Sequence, residues 1–202
     1  MKPDLTDTEV SLIREKIQEK YGKVAASPAG CFRYPTGEEG LRKLGYPQEM
    51  ITALPQAVLD SFCGVGNPFS LGALSPGEAV LDIGCGTGVD ALAAAMMVGP
   101  QGRVVGIDVT AEMIATARSN LSLLSLRNVS FQVGTAESLP FPDEEFDAVI
   151  SNGVFNLTLD KEKALREAYR VLKPGGRFFI ADMALVADLP PEQAGKAENW
   201  YQ

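Results

Sequence analysis

Apolar residues in this chain of 202 residues fall into two alternating patterns. Short apolar runs are typical of strands buried on both faces of a parallel sheet. They predict strands at 79–83, 103–108, 128–133, 147–151 and 178–181. Apolar positions three and four residues apart predict helices between these strands, at 91–98, 111–124 and 161–172. Strands that alternate with helices indicate an α/β protein with a doubly wound, mostly parallel sheet and helices on both faces.

The first 74 residues follow a different pattern. Thr6 and Glu9 have the spacing of a capping box, which predicts the start of a helix that ends near Gly22. One face of this helix carries Val10, Ile13, Ile17 and Tyr21. Loops are predicted at 24–40 and 54–68, with short helices at 41–46 and 48–54. We therefore divide the chain into a helical and loop cap, 1–74, and a core, 75–202.

A glycine-rich loop follows the first predicted strand. Gly84, Gly86 and Gly88 are spaced G-x-G-x-G between a strand and a helix, without the G-K-[ST] of a triphosphate-binding loop. Glycine lacks a Cβ, so a ligand can lie against this backbone. Asp82, at the carboxyl end of the strand, favours a ligand that carries positive charge. The loop is therefore a candidate binding site for a small cationic ligand.

Asp108 ends the second predicted strand, twenty residues after Gly88. An acid at this place, on the strand beside the glycine loop, can accept hydrogen bonds from both hydroxyls of a ribose. The alternative is that Asp108 caps the following helix, because Asp is a favourable N-cap residue. Ala136 and Asn152 also follow predicted strands, so we expect them at the same edge of the sheet.

Composition and charge narrow the classes of function. The net charge of −8 argues against a broad nucleic-acid or membrane surface, which leaves a small-molecule substrate as the expected partner. No apolar run approaches the roughly 18 residues of a membrane span, and the N-terminus lacks a secretory signal pattern. The chain has three cysteines, no C-x-x-C and no histidine, which argues against a zinc site, a disulfide framework and histidine-based triads. We expect a cytoplasmic protein.

From about residue 75 to 182 the chain resembles class I S-adenosylmethionine (SAM) methyltransferases. Residues 82–88 resemble their motif I, and Asp108 matches their ribose-binding acid. The segment 134–141 resembles the element that meets adenine, with Thr135 in place of the usual Asp, and 172–176 resembles the turn after a late helix. The resemblance implies a Rossmann-like methyltransferase sheet with SAM as cofactor. It implies these SAM contacts: Asp82, Gly84, Gly86, Gly88, Asp108, Val109, Ala136, Glu137 and Asn152.

A narrower resemblance, to arsenite methyltransferases, covers almost the whole chain. Its segments are 44–55, 66–68, 109–113 and 151–157. In that family cysteine thiols hold trivalent arsenic, a soft ion that suits thiolates. The resemblance implies Cys31 and Cys63 as substrate ligands. Cys63 lies two residues before the best-aligned family position, Val65, and Gly153 replaces a further family cysteine.

Other interpretations remain open. The segment 136–143 is shared with quinone-biosynthesis methyltransferases, which act on small organic acceptors, and the chain could also bind SAM without turnover. No general base is evident, and a soft nucleophile needs none. Cys85, inside the glycine loop, is predicted to serve packing.

The C-terminal residues carry two further predictions. The sequence stops about twenty residues after Asp182, so we expect a sheet that is truncated after strand five, with strand 178–181 as an open edge. We expect this edge to be covered by a second copy, in a homodimer, or by the tail 185–202. Relatives in the arsenite family continue from a Trp into a cysteine. The end after Trp200 and Gln202 therefore has two interpretations: a selenocysteine directly after Gln202, whose codon was read as a stop, or a true or deliberate end at this place.

Overall fold

The computed structural model describes residues 6–184, in which five parallel strands form one sheet. The strands are β1 (Ala79–Ile83), β2 (Arg103–Asp108), β3 (Val129–Val133), β4 (Phe146–Asn152) and β5 (Leu172–Ala181). Their order across the sheet is β3-β2-β1-β4-β5, so β1 lies at the centre between β2 and β4. The predicted fold class is confirmed. Because the order reverses at β1, the carboxyl ends of β1, β2 and β4 border one crevice.

The helices cover both faces of this sheet. They are α1 (Asp7–Ala26), α2 (Gly37–Lys43), α3 (Gln48–Ala53), α4 (Gln56–Asp60), α5 (Val89–Val98), α6 (Ala111–Ser122) and α7 (Lys161–Val171). Side chains alternate along β1: Val80 belongs to a core cluster with α5, and Leu81 to a second cluster with α7. Both clusters consist of buried apolar residues, which explains why the strands are apolar on both sides.

The first helix begins as predicted and ends later. The Thr6 hydroxyl accepts from the amide of Glu9, whose carboxylate accepts from the amide of Thr6, which completes the capping box. The predicted end at Gly22 is wrong, because α1 continues to Ala26. Glycine costs a helix interior about 1 kcal/mol. Burial of Val24 and Ala25 offsets that cost, and α1 packs against α6.

The rest of the cap contains more helix than the sequence predicts. The predicted loops 24–40 and 54–68 include the start of α2 and all of α4, and the helix predicted at 41–46 lies at Gly37–Lys43. Leu41 and Ile51 of the cap share one buried cluster with Leu92 of the core. The cap and the core therefore share one hydrophobic cluster. The domain boundary between residues 74 and 75 stays a prediction.

The predicted turn at 173–177 belongs to β5, which pairs with β4 around an irregularity near Phe146. Within residues 6–184, β5 pairs with β4 alone and so forms an edge of the sheet. Arg177 of β5 donates to the carbonyl of Ala73 and forms an ion pair with Glu78. The tail 185–202 and the predicted selenocysteine lie outside the described residues. No helix within 6–184 is long and apolar enough to cross a bilayer.

Candidate active site

The glycine loop turns sharply between β1 and α5. Gly84 has φ of +70°, and a Cβ there would lie 2.2 Å from a methyl carbon of Val154. Gly88 has φ of +86° and directly precedes α5. A side chain at Gly84 would therefore meet both backbone strain and a steric clash. The loop needs glycine there to pass so close to the segment after β4.

Asp108 holds the glycine loop from the neighbouring strand. One carboxylate oxygen accepts from the amide of Gly86 at 3.0 Å and the other from the amide of Thr110 at 2.8 Å. The N-cap residue of α6 is Thr110, so Asp108 does not cap this helix. Burial raises the pKa of Asp108 despite these hydrogen bonds. Each oxygen keeps a lone pair for a ligand hydroxyl.

Two buried carboxylates, Asp82 and Asp90, and the partly buried Asp108 border the same cavity. Asp82 is 2 % exposed, and its Oδ2 has no hydrogen-bond partner in the described part of the chain. Burial raises the pKa of Asp82 strongly, and the nearby charges of Asp90 and Asp108 raise it further. An unpartnered buried carboxylate is costly unless a ligand pairs with it. A cationic ligand with ribose-like hydroxyls fits this arrangement.

A hydrogen-bond network that the sequence did not predict joins the cap to the core. Asp90, in the first turn of α5, accepts from the Tyr46 hydroxyl at 2.7 Å and from the Asn152 side-chain amide at 3.0 Å. Burial raises the pKa of Asp90 to about 6, against the opposing effect of these two hydrogen bonds. An acid near a helix N-terminus was visible in the sequence. Nothing in the sequence signalled Tyr46, which lies 44 residues away.

Asn152 fixes the irregular segment 61–67, here called the cap loop. Its side-chain oxygen accepts from the amides of Val65 and Gly66 at 2.9 and 3.0 Å. Its side-chain nitrogen donates to the carbonyl of Gly66 at 2.8 Å. Asn152 borders the cavity as predicted, while its polar atoms bind the protein. It therefore positions the loop that carries Cys63.

The remaining predicted cofactor residues also border the cavity. Ala136 is buried, whereas Val109 is 44 % exposed. The Glu137 carboxylate accepts from the amides of Leu159 and Asp160, both at 2.9 Å. Glu137 thus holds the segment that leads into α7, and its role as a ligand contact stays a prediction.

Cys31 and Cys63 line this cavity together with the glycine loop and Asp108; its volume is about 1330 Å³. Cys31 is exposed and Cys63 is partly buried. Burial, and then the charges of Asp108 and Asp90, raise the pKa of Cys63 to about 12, so its thiol is protonated at neutral pH. The structure thus brings both predicted thiols to the cavity that is lined by the predicted cofactor residues other than Gly88, which lies just behind the lining at the start of α5.

Cys85 also borders the cavity, but its environment differs from that of the other two cysteines. Its side chain is 8 % exposed and belongs to the core cluster around α5. Its sulfur lies 2.9 Å from the position that a Cβ on Gly106 would occupy. This sulfur packs against β2, as the sequence predicted.

Gly153, which follows β4, lies next to Val65 of the cap loop. A Cβ on Gly153 would lie 3.2 Å from a methyl carbon of Val65. Gly153 has φ of +73°, which an L side chain adopts at a cost. At both positions the resemblance to arsenite methyltransferases implies a cysteine that this sequence lacks, and the structure places the two side by side.

Comparisons with known proteins match this chain to methyltransferases. A family described as a methyltransferase domain matches residues 74–202. An arsenite methyltransferase of Halobacterium salinarum is 37% identical over 202 residues, covering 93% of this chain and 51% of the relative. A ubiquinone/menaquinone biosynthesis C-methyltransferase of Enterobacter sp. is 46% identical over 127 residues, covering 62% of this chain and 50% of the relative.

Among solved structures, an arsenic(III) S-adenosylmethionine methyltransferase from Chlamydomonas reinhardtii has a TM-score of 0.60 and 36% sequence identity. The match covers 79% of this chain and 53% of that structure. The chain spans about half the length of these two curated relatives.

Proposed function

Because this chain belongs to the methyltransferase domain family, we propose that it binds SAM and transfers the methyl group to trivalent arsenic held by thiols. The resemblance inferred from motif I and Asp108 is confirmed at the level of the family. The single observation that carries the proposal is that Cys31 and Cys63 line the cavity formed by the glycine loop and Asp108.

The residues present fit SAM. The Asp108 carboxylate has free lone pairs for the two ribose hydroxyls, and the glycine loop lets the ligand lie against the backbone. The unpartnered oxygen of Asp82 suits the positive charge that SAM carries. When bound, SAM supplies a methyl group activated by its sulfonium. The protein then needs to orient an acceptor and to exclude water.

Thiols at the acceptor side suit a soft, thiophilic substrate. The neutral Cys63 thiol can replace a hydroxyl on trivalent arsenic, since As–OH and S–H give As–S and water without a change of oxidation state. Cys31, at the open side of the cavity, offers the second thiol. Asn152 holds the cap loop that carries Cys63, which supports a positioning role for this side chain.

Methyl transfer to arsenite in the presence of glutathione tests the proposal. The wild-type chain is compared with Cys31→Ser, Cys63→Ser and, as a matched control, Cys85→Ala. We expect both serine variants to lose methylation while they keep SAM binding, and the Cys85 variant to keep both. Full activity of both serine variants would refute the role of the thiols.

A second candidate is a methyltransferase for a small organic acceptor. The observation that favours it is the 46% identity to a quinone-biosynthesis C-methyltransferase over 127 residues. Methyl transfer to demethylmenaquinol in place of arsenite would favour this candidate. SAM binding without transfer to either acceptor would favour a non-catalytic SAM-binding module.

We also infer that the protein acts in the cytoplasm and associates as a homodimer. Free thiols at the site need a reducing compartment. The edge position of β5 supports pairing with a second copy. A monomeric mass in light scattering would refute the dimer.

A further inference from the structure

A second group of buried polar side chains joins the glycine loop to the cap loop. Thr87, which lies between Gly86 and Gly88, is 3 % exposed, and its hydroxyl donates to the carbonyl of Ser61 at 3.0 Å. Ser61 is the C-cap residue of α4 and begins the cap loop. The two hydroxyl oxygens also lie 3.0 Å apart. The proton of the Thr87 hydroxyl is therefore used by the protein and is not offered to a ligand.

Asn120 of α6 binds the same two residues. Its side chain is buried, and its NH₂ group donates to the carbonyl of Thr87 at 2.9 Å and to the hydroxyl oxygen of Ser61 at 3.1 Å. Both hydrogens of this group are thus used. We call Ser61, Thr87 and Asn120 the buried clasp. Because an unpaired buried polar group is costly, the glycine loop cannot move away from the cap loop without a loss of these hydrogen bonds.

The far end of the cap loop is attached at almost the same place. Asn152 accepts from two amides at that end and donates to the carboxylate of Asp90. Asp90 lies in the first turn of α5, three residues after Thr87. Both ends of the cap loop are therefore fastened to the junction of the glycine loop and α5. Cys63 lies between the two attachments.

We infer that Thr87 is a positioning residue: through the buried clasp, SAM bound against the glycine loop fixes the cap loop and with it the Cys63 thiol. This inference rests on the SAM site of the proposed function and does not depend on which acceptor is methylated. Coupling between two sites is reciprocal, so a ligand that orders the cap loop should also tighten the binding of SAM. Such couplings amount to factors of about 5 to 150.

Hydrogen exchange of the full chain, followed by mass spectrometry, tests the coupling. It reports local opening of each segment, here through peptides that cover 61–67 and 82–90. The probe is S-adenosylhomocysteine at a concentration that saturates the site. We expect it to slow exchange in both segments of the wild-type chain, by about fivefold in the cap loop. Protection of the glycine loop without protection of the cap loop would overturn the inference.

Variants of Thr87 separate this coupling from direct shielding of the cap loop by the ligand. Thr87→Val replaces the hydroxyl with a methyl group. With the site saturated, it should keep the protection of the glycine loop and show less than about twofold slowing in the cap loop. Thr87→Ser retains the hydroxyl and should restore the wild-type slowing. Thr52→Val, an exposed position on α3, is the matched control and should behave as wild type. Wild-type slowing in a folded Thr87→Val variant would overturn the inference.

A milder variant keeps the test decisive if Thr87→Val does not fold. Ser61→Ala removes one hydroxyl from the clasp and leaves the carbonyl that accepts from Thr87. It should reduce the slowing in the cap loop to less than about threefold, and slowing equal to that of wild type would overturn the inference.

Failure of the inference can be told apart from failure of the proposed function. Coupled protection in a chain that does not methylate arsenite would support the inference and overturn the proposed acceptor. Thiol-dependent methylation of arsenite without protection of the cap loop would overturn the inference alone. A wild-type chain that does not bind S-adenosylhomocysteine would overturn both.

Discussion

Replacing Asp108 with Asn tests whether this carboxylate holds the ribose of SAM. The two oxygens of Asp108 accept from the amides of Gly86 and Thr110 at 3.0 and 2.8 Å. Asn offers one oxygen and one NH₂ group, so one of these amides loses its acceptor. The substitution also removes the negative charge that would strengthen hydrogen bonds from the ribose hydroxyls.

The expected loss of binding is larger than the expected loss of stability. A hydrogen bond to a charged group contributes about 1.5–3 kcal/mol, so weakening two of them costs about 3 kcal/mol, or about a hundredfold in Kd. For folding, two effects oppose each other. One backbone amide is left unpaired, at about 1–3 kcal/mol, while the cost of burying an ionised Asp108 disappears. We therefore expect the free energy of unfolding to change by less than about 2 kcal/mol.

Calorimetric titration with SAM and S-adenosylhomocysteine measures the binding, and urea unfolding measures the stability. Asp143→Asn is the matched control, since the Asp143 side chain is 73% exposed and lies outside the cavity. A Kd within about threefold of wild type in a folded Asp108→Asn variant would refute the ribose role of this carboxylate.

Three further substitutions test the network and the loop. Burial raises the pKa of Asp90 to about 6 in the folded state. Between about pH 4 and 6 the folded state therefore keeps a proton on Asp90 that the unfolded state has released. Because the folded state binds more protons in this window, the free energy of unfolding falls as pH rises through it. Thermal unfolding of Asp90→Asn should show a weaker fall there; an identical pH profile would contradict the assignment. Gly84→Ala should lower the free energy of unfolding in urea by about 2 kcal/mol more than Gly99→Ala. Both glycines have positive φ, but only a Cβ on Gly84 would clash with Val154. Equal effects of the two substitutions would exclude the clash. Asn152→Ala should destabilise the protein by about 3 kcal/mol in the same assay, since it removes acceptors from two backbone amides and a donor to Asp90; a change below about 1 kcal/mol would contradict the network.

The sequence predicted the sheet well because its strands are buried on both faces. The bounds of β1 and β2 agree residue for residue, since the mostly apolar run of β1 ends just before Gly84 and that of β2 ends at Asp108. Positions at strand ends could be assigned to one crevice, which is how Asp82, Asp108 and Asn152 were found. Parallel pairing brings those ends together whatever the separation along the chain.

Tertiary contacts explain what the sequence could not predict. Helices α2 and α4 have seven and five residues, too few to show a helical period, and they are fixed by burial of their apolar residues. The bond between Tyr46 and Asp90 joins residues with no shared local pattern. Glu137 looked like a ligand contact, yet its carboxylate accepts backbone amides from a loop whose course only the fold determines.

The most direct measurement is a crystal structure of this chain with S-adenosylhomocysteine and arsenite, using anomalous scattering from arsenic. We predict the ribose hydroxyls on Asp108 and one arsenic peak bonded to the sulfurs of Cys31 and Cys63. A ribose bound away from Asp108, or arsenic on Cys85 or outside the cavity, would contradict the account.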